Sequence, residues 1–285
     1  MLIANPIYDV VFKYMMEDLK VAKSFVSAII GEEVTELEFC PQEYTTKYKE
    51  GSITVVRLDF LARIKTNDGF KAVIIEMQKA LLSTDIRRFR RYVGSQYQNE
   101  NNDYKDKRGI THARPIYCIF FLGKGLNVKD VPVLTVTNTV KDRATGKELQ
   151  LRKDFIDCLH HKSWIVQIPY LAAYRRDNLE KLLSIFDQSN ITDSNHILIV
   201  NEEDVPKEYK HIIRRLKQAA EKKEITEQMK AEDELINDFK DLERAIAFQE
   251  EIIEEKNKKL EEKDKTIEEK DRLIEELRRQ MNKTV

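Results

Sequence analysis

Arg57 to Ala80, RLDFLARIKTNDGFKAVIIEMQKA, is the stretch on which the fold turns. Two runs rich in β-branched and apolar residues, Val55 to Lys65 and Lys71 to Gln78, flank Asn67-Asp68-Gly69. Such runs read as strands, and Asn-Asp-Gly between them is a hairpin-turn signal. Alternate residues of a strand share a face, so Asp59 goes with Arg57 and Leu61, and Glu76 with Ile74 and Gln78. A loop of two or four residues makes paired residue numbers sum to 137 or to 135. The first register sets Asp59 opposite Gln78, the second opposite Glu76. Either way Asp59, Glu76 and Gln78 emerge on one face, with directly opposed Cβ atoms ~4.5–5.5 Å apart.

Two carboxylates that close repel unless a proton or a cation lies between them. Their hard oxygens suit Mg²⁺, which keeps several waters and binds through one or two carboxylates plus phosphate. Periodicity alone equally allows an acid pair that is solvated or salt-bridged.

Outward from this hairpin the first 200 residues read as mixed α/β. Asp18 to Ile30 is predicted helical, with Gly31 as its stop. Ser83 or Thr84 can cap a helix that runs to about Asn99. Ile116 to Leu122 is a continuous apolar run, as expected of a strand buried on both faces. Val131 to Val140 and Glu148 to Leu151 suggest a second hairpin about Ala144-Thr145-Gly146, and Leu179 to Phe186 a further amphipathic helix.

The remainder is different in kind. Residues 201–285 hold 25 acidic and 20 basic residues, net −5, while residues 1–200 carry net +4. The last glycine is Gly146 and the last proline Pro206, so nothing beyond Pro206 breaks a helix. From Glu254 a seven-residue repeat runs EEKNKKL, EEKDKTI, EEKDRLI, EELRRQM. Phe239, Ile246, Ile253, Leu260, Ile267, Ile274 and Met281 hold one heptad position throughout. That is a coiled-coil period. The second seam reads Leu242, Gln249, Lys256, Lys263, Lys270, Leu277, and lysine there weakens a dimer. Pairs such as Glu254–Lys258 and Glu268–Arg272 would support a lone helix too. The expected division is a head over 1–200, a helical linker over 201–234 and a charged coiled-coil extension over 235–285, the extension self-associating into a homo-oligomer.

Composition bounds the function classes. With 41% hydrophobic residues the chain can bury a core. Cys40, Cys118 and Cys158 have no CxxC spacing, so neither a disulfide framework nor a zinc knuckle is suggested. There is no GxxxxGK[ST] or GxGxxG, which disfavours NTPases and dinucleotide enzymes. No apolar run reaches the ~20 residues of a membrane span, and no signal peptide is visible. The expectation is a cytoplasmic protein with no membrane partner. The net charge of −1 averages a slightly basic head and an acidic extension, so it does not exclude nucleic acid.

The spacing Asp59-x₁₆-Glu76-x-Gln78, with apolar residues before each acid, resembles the PD-(D/E)XK nuclease superfamily. Glutamine in place of the motif lysine is similar to its transposase-associated branch, the recombination-promoting nuclease (Rpn) family. Asp9-x-x-Phe12-Lys13 resembles that family's N-terminal helix signature, and RRFRRYVGSQYQ, Arg87 to Gln98, its Arg/Tyr helix after the acidic strand. The likeness spans about residues 3–235. It implies a restriction-endonuclease-like fold, a mixed central sheet flanked by helices, and a metal-dependent DNA endonuclease. Asp59 and Glu76 would be metal ligands for Mg²⁺ (or Mn²⁺), Gln78 would replace the lysine, and Asp9 would add an acid from the first helix. Arg87, Arg90 and Arg91, close on one helix face, would hold DNA phosphates. Gln78 carries no charge to a transition state, which keeps open the alternative of a weakened nuclease that binds nucleic acid and recruits partners through its coil.

Overall fold

The computed structural model describes residues 1–40, 43–47, 53–57, 60–67, 69–78, 85–128, 130–150 and 154–281. In chain order the elements are β1 (Leu2–Ala4), α1 (Asp9–Met16), α2 (Leu19–Ile30), β2 (Val34–Phe39), β3 (Glu43–Lys47), β4 (Ile53–Arg57), β5 (Phe60–Thr66) and β6 (Gly69–Gln78). There follow α3 (Asp85–Tyr97), β7 (Asp103–Lys105), β8 (Thr111–Ala113), β9 (Ile116–Leu122), β10 (Val133–Val136), β11 (Val140–Lys141), β12 (Glu148–Leu149) and α4 (Asp154–Cys158). The chain closes with β13 (Lys162–Gln167), α5 (Asn178–Leu183), β14 (Ile197–Ile199), α6 (Lys210–Ala220) and α7 (Lys223–Met281).

The central sheet has six strands in the order β10-β13-β9-β6-β5-β2. It is mixed: β6, β9 and β13 run parallel, whereas β5, β2 and β10 join antiparallel to their neighbours. β9 lies inside the sheet, which is why its run of apolar residues needs no alternation. Both faces bury it: Ile119 and Phe121 join one core, Ile116 and Cys118 the other.

The first core is large. α1, α2 and α6 cover it through Phe12, Met15, Phe25, Val26, Ile212 and Leu216, against Val73, Ile75 and Phe121 of the sheet. Phe121 meets Phe186 at 4.6 Å between ring centroids and stacks on Phe25 at 6.0 Å. α2 begins and ends where its sequence says. The Asp18 carboxylate accepts from the Lys20 and Val21 amides, and Gly31 closes the helix with φ +72°. The second core is thin. It comprises Leu61, Ala72, Ile74, Ile116 and Cys118 under Phe89 and Val93 of α3.

Two expected strands divide. Val55 to Lys65 is shared between β4, which pairs with β3 in its own hairpin, and β5, which joins the main sheet. Arg57 therefore belongs to a different sheet from Leu61. Val131 to Val140 likewise splits into β10 on the sheet edge and β11, paired with β12. A uniform β-branched run specifies strand conformation and leaves partner choice to long-range pairing.

The chain forms two compact units, Met1–Met229 and Lys230–Val285. The first extends beyond the expected 1–200 head because the apolar face of α6 and the first turns of α7, Ile225 and Met229, are buried in the large core. The second is helical throughout its described residues. Among the described residues no helix is long and apolar enough to cross a membrane.

Candidate active site

The β5–β6 ladder runs Phe60↔Ile75 to Thr66↔Gly69, a sum of 135, the second of the two registers the hairpin allows. Gly69 takes φ +115°, a conformation that favours glycine at the turn. Asp59 lies outside the described residues, as do Ser83 and Thr84. Glu76 and Gln78 are described in backbone only. They pair with Phe120 and Leu122 of β9.

That pairing sets them at the carboxyl ends of the parallel strands. β6 ends at Gln78, β9 at Leu122 and β13 at Gln167, and the ladder aligns all three. Ligands of open α/β sheets bind outside this end, because there the loops diverge. The end is held by polar bonds. The buried Gln167 amide accepts from the Leu126 N–H at 2.8 Å and donates to the carbonyls of Val128 (3.2 Å) and Val131 (2.6 Å).

The two faces of β6 differ. Odd positions Val73 and Ile75 enter the large core; even positions Ala72 and Ile74 enter the thin one. By register 76 and 78 continue the even face, which α3 covers. Phe89 and Val93, one turn apart, fasten α3 there, with the Phe89 and Phe120 rings 4.1 Å apart and edge-on. Arg90, between the two anchors in sequence, is exposed. The side chains of Arg87 and Arg91 are not described; their positions are on the same helix.

Asp9 opens α1, on the odd face. Its Oδ2 accepts from Lys13 Nζ at 2.6 Å, an i,i+4 pair. So of the expected site residues, Glu76, Gln78 and the arginine helix share a sheet face, and Asp9 is on the helix packed against the other. Among the described residues no three His, Cys, Asp or Glu side chains gather to hold a metal ion, a set to which neither Asp59 nor the side chain of Glu76 belongs.

Two arginines absent from the sequence reading lie on the α3 face. Arg63 pairs across the sheet with Ala72, and its guanidinium approaches Glu38 at 3.8 Å. Arg114 stacks over Phe70 at 5.5 Å and Tyr104 at 6.0 Å. Burial first, then the like charge of Arg63, holds the Arg114 pKa below its ordinary value. The signal for Arg63 was strand alternation from Leu61; Arg114, outside any strand, had none.

Comparison with family models, with curated proteins and with solved structures gave no match.

Proposed function

We propose that the Met1–Met229 unit is a metal-dependent DNA endonuclease of restriction-endonuclease-like fold and recombination-promoting type, hydrolysing phosphodiesters beside β6. The observation that carries this reading is the placement of the arginine helix α3 on the sheet face that holds positions 76 and 78. Cations that hold the phosphate beside carboxylates that can hold a metal suit phosphodiester hydrolysis. Arg87, Arg90 and Arg91 would hold the backbone, with Arg63 and Arg114 adding positive charge along the same face.

Two carboxylates are the hard-oxygen donor set that Mg²⁺ takes, and Glu76 stands at the strand end where α/β sheets bind ligands. Asp59 and Glu76 would hold Mg²⁺ (or Mn²⁺), which when bound lowers the pKa of its water and offsets charge building on the phosphoryl group. Gln78 offers an amide that donates a hydrogen bond and orients water, without the charge of lysine. Asp9, on the opposite layer and ion-paired to Lys13, has the weakest claim to a place in this set.

The test is plasmid nicking with Mg²⁺ by the wild type beside Asp59→Ala and Glu76→Ala. Each variant is expected to lose activity at least ~100-fold, about 2.7 kcal/mol of transition-state stabilisation. Equal nicking by all three proteins sinks the assignment. The second reading, a nucleic-acid-binding module without strong catalysis, is favoured by Gln78. DNA binding that persists in EDTA, with no cleavage under any divalent metal, would select it.

A further inference from the structure

Among the described residues, the stripe of α7 is exposed from Ile253 to Ile274. Ile253, Leu260, Ile267 and Ile274 are 56, 56, 54 and 46% exposed, although all four share one heptad position. Four large aliphatic side chains in a row, left in water, mark a surface that another molecule covers.

The flanks of the stripe say which molecule. One residue after each stripe position stand Glu254, Glu261, Glu268 and Glu275. Four residues after stand Asn257, Asp264 and Asp271, on the same side. Three residues after stand Lys256, Lys263 and Lys270. At ~100° per residue the acidic rows lie on one side of the stripe and the lysine row on the other.

The lysine row has no match within its own helix. At i±3 and i±4 from Lys256, Lys263 and Lys270 stand only Ile252, Ile253, Lys259, Leu260, Thr266, Ile267, Leu273 and Ile274. The three are exposed, and among the described residues none has an ion-pair partner. The lysines of the supporting pairs, such as Lys258 and Lys265, belong to a different row. A helix selected only for solitary stability would set these three four residues from an acid too.

We propose that α7 docks on a second copy of this chain, as a parallel, in-register, two-stranded coiled coil along Ile253–Ile274. In a parallel pair the right flank of one helix meets the left flank of the other, so lysines face acids on both sides of the seam. Lys256 then stands by Glu261 of the partner subunit, Lys263 by Glu268 of the partner subunit and Lys270 by Glu275 of the partner subunit. In an antiparallel pair lysines would meet lysines and glutamates glutamates. With Lys256, Lys263 and Lys270 on this flank, the polar layer of the seam falls to Asn257, Asp264 and Asp271, which meet their own copies; the flanking Lys–Glu rows select the occupant and its direction, and that polar layer keeps the association modest. The two chains leave the coil toward Met229 at the same end.

The test uses the full chain with Cys158→Ser, to remove the half-exposed thiol. Ile253→Cys and Ile274→Cys are made separately, oxidised mildly and run without reductant. Each alone is expected to give a covalent dimer, and light scattering on the wild type twice the 33.6 kDa chain mass. Raising NaCl from 50 to 500 mM is expected to weaken dimerisation several-fold. Cross-linking only when the two variants are mixed means an antiparallel pair and overturns the proposal. So does a monomeric wild type, or a mass other than the dimer. None of these outcomes depends on whether the protein cleaves DNA.

Discussion

The two faces of the central sheet are built for different ends. On one, Phe12, Phe25, Phe121 and Phe186 interlock under three helices. On the other, a few small and aliphatic side chains lie under the single helix α3, whose sequence from Asp85 to Tyr97 holds four arginines. Most of the apolar burial lies on the first face, and the arginine-bearing helix lies on the second. The thick face supplies the apolar burial that holds β6 and β9 in register. The thin face leaves room at the strand ends for charged groups, which a close-packed core would exclude.

Truncation breaks this comparison most directly. Phe121→Ala is expected to cost about 4–5 kcal/mol, because three aromatic neighbours surround the ring and cannot collapse into the cavity. Phe89→Ala, with Phe120 as its aromatic neighbour among the described residues, is expected at about 3 kcal/mol. Urea unfolding midpoints at constant m measure both. Equal losses would mean that the faces do not differ in packing.

A smaller effect tests the rim of the thick face. Glu32 accepts from Lys71 Nζ at 2.7 Å, from Tyr117 Oη at 2.9 Å and from Thr66 Oγ1 at 3.0 Å. Burial raises its pKa, but the Lys71 hydrogen bond and charge, with the two hydroxyls, outweigh this and leave it below the ordinary value. A depressed carboxylate stabilises the fold above its unfolded pKa, ~4.3, and the contribution is lost as pH falls through the folded value. Glu32→Gln should therefore cost about 1–3 kcal/mol at pH 7. The gap to wild type should close as the pH drops below ~4. A gap independent of pH would mean that Glu32 acts through shape alone.

The smallest effect sharpens the thin face. Arg90→Ala is expected to leave the unfolding midpoint unchanged and to weaken DNA binding a few-fold. The slope of log K against log salt should fall by ~0.9, the value for one phosphate contact. An unchanged slope would take Arg90 out of the interface.

Much of the architecture is legible in the sequence. α2 was bounded by Asp18 and Gly31 because caps are local chemistry. The β5–β6 hairpin was bounded by Asn67-Asp68-Gly69 because turn residues encode positive φ. The burial of β9 on both faces followed from an unbroken apolar run. Pairing was not readable. Nothing within Ile53–Thr66 says that its first half turns to β3 and its second to β6, and nothing near Lys162 announces β13 beside β9. Of the candidate site, Glu76 and Gln78 were placed on one face by alternation alone. That α3 covers that face, and α1 the other, was not.

By itself, then, the sequence determined the local geometry and its periods: two for strands, and seven from Phe239 to Met281, where one heptad position is apolar throughout. Tertiary structure decided which strands meet, which helix lies on which face, and that α6 and the start of α7 belong to the first core. The reason is physical. Caps, turns and alternation are settled by atoms a few bonds apart, whereas strand order and layer assignment depend on apolar area buried between segments up to about 200 residues apart, such as Ile3 and Leu198.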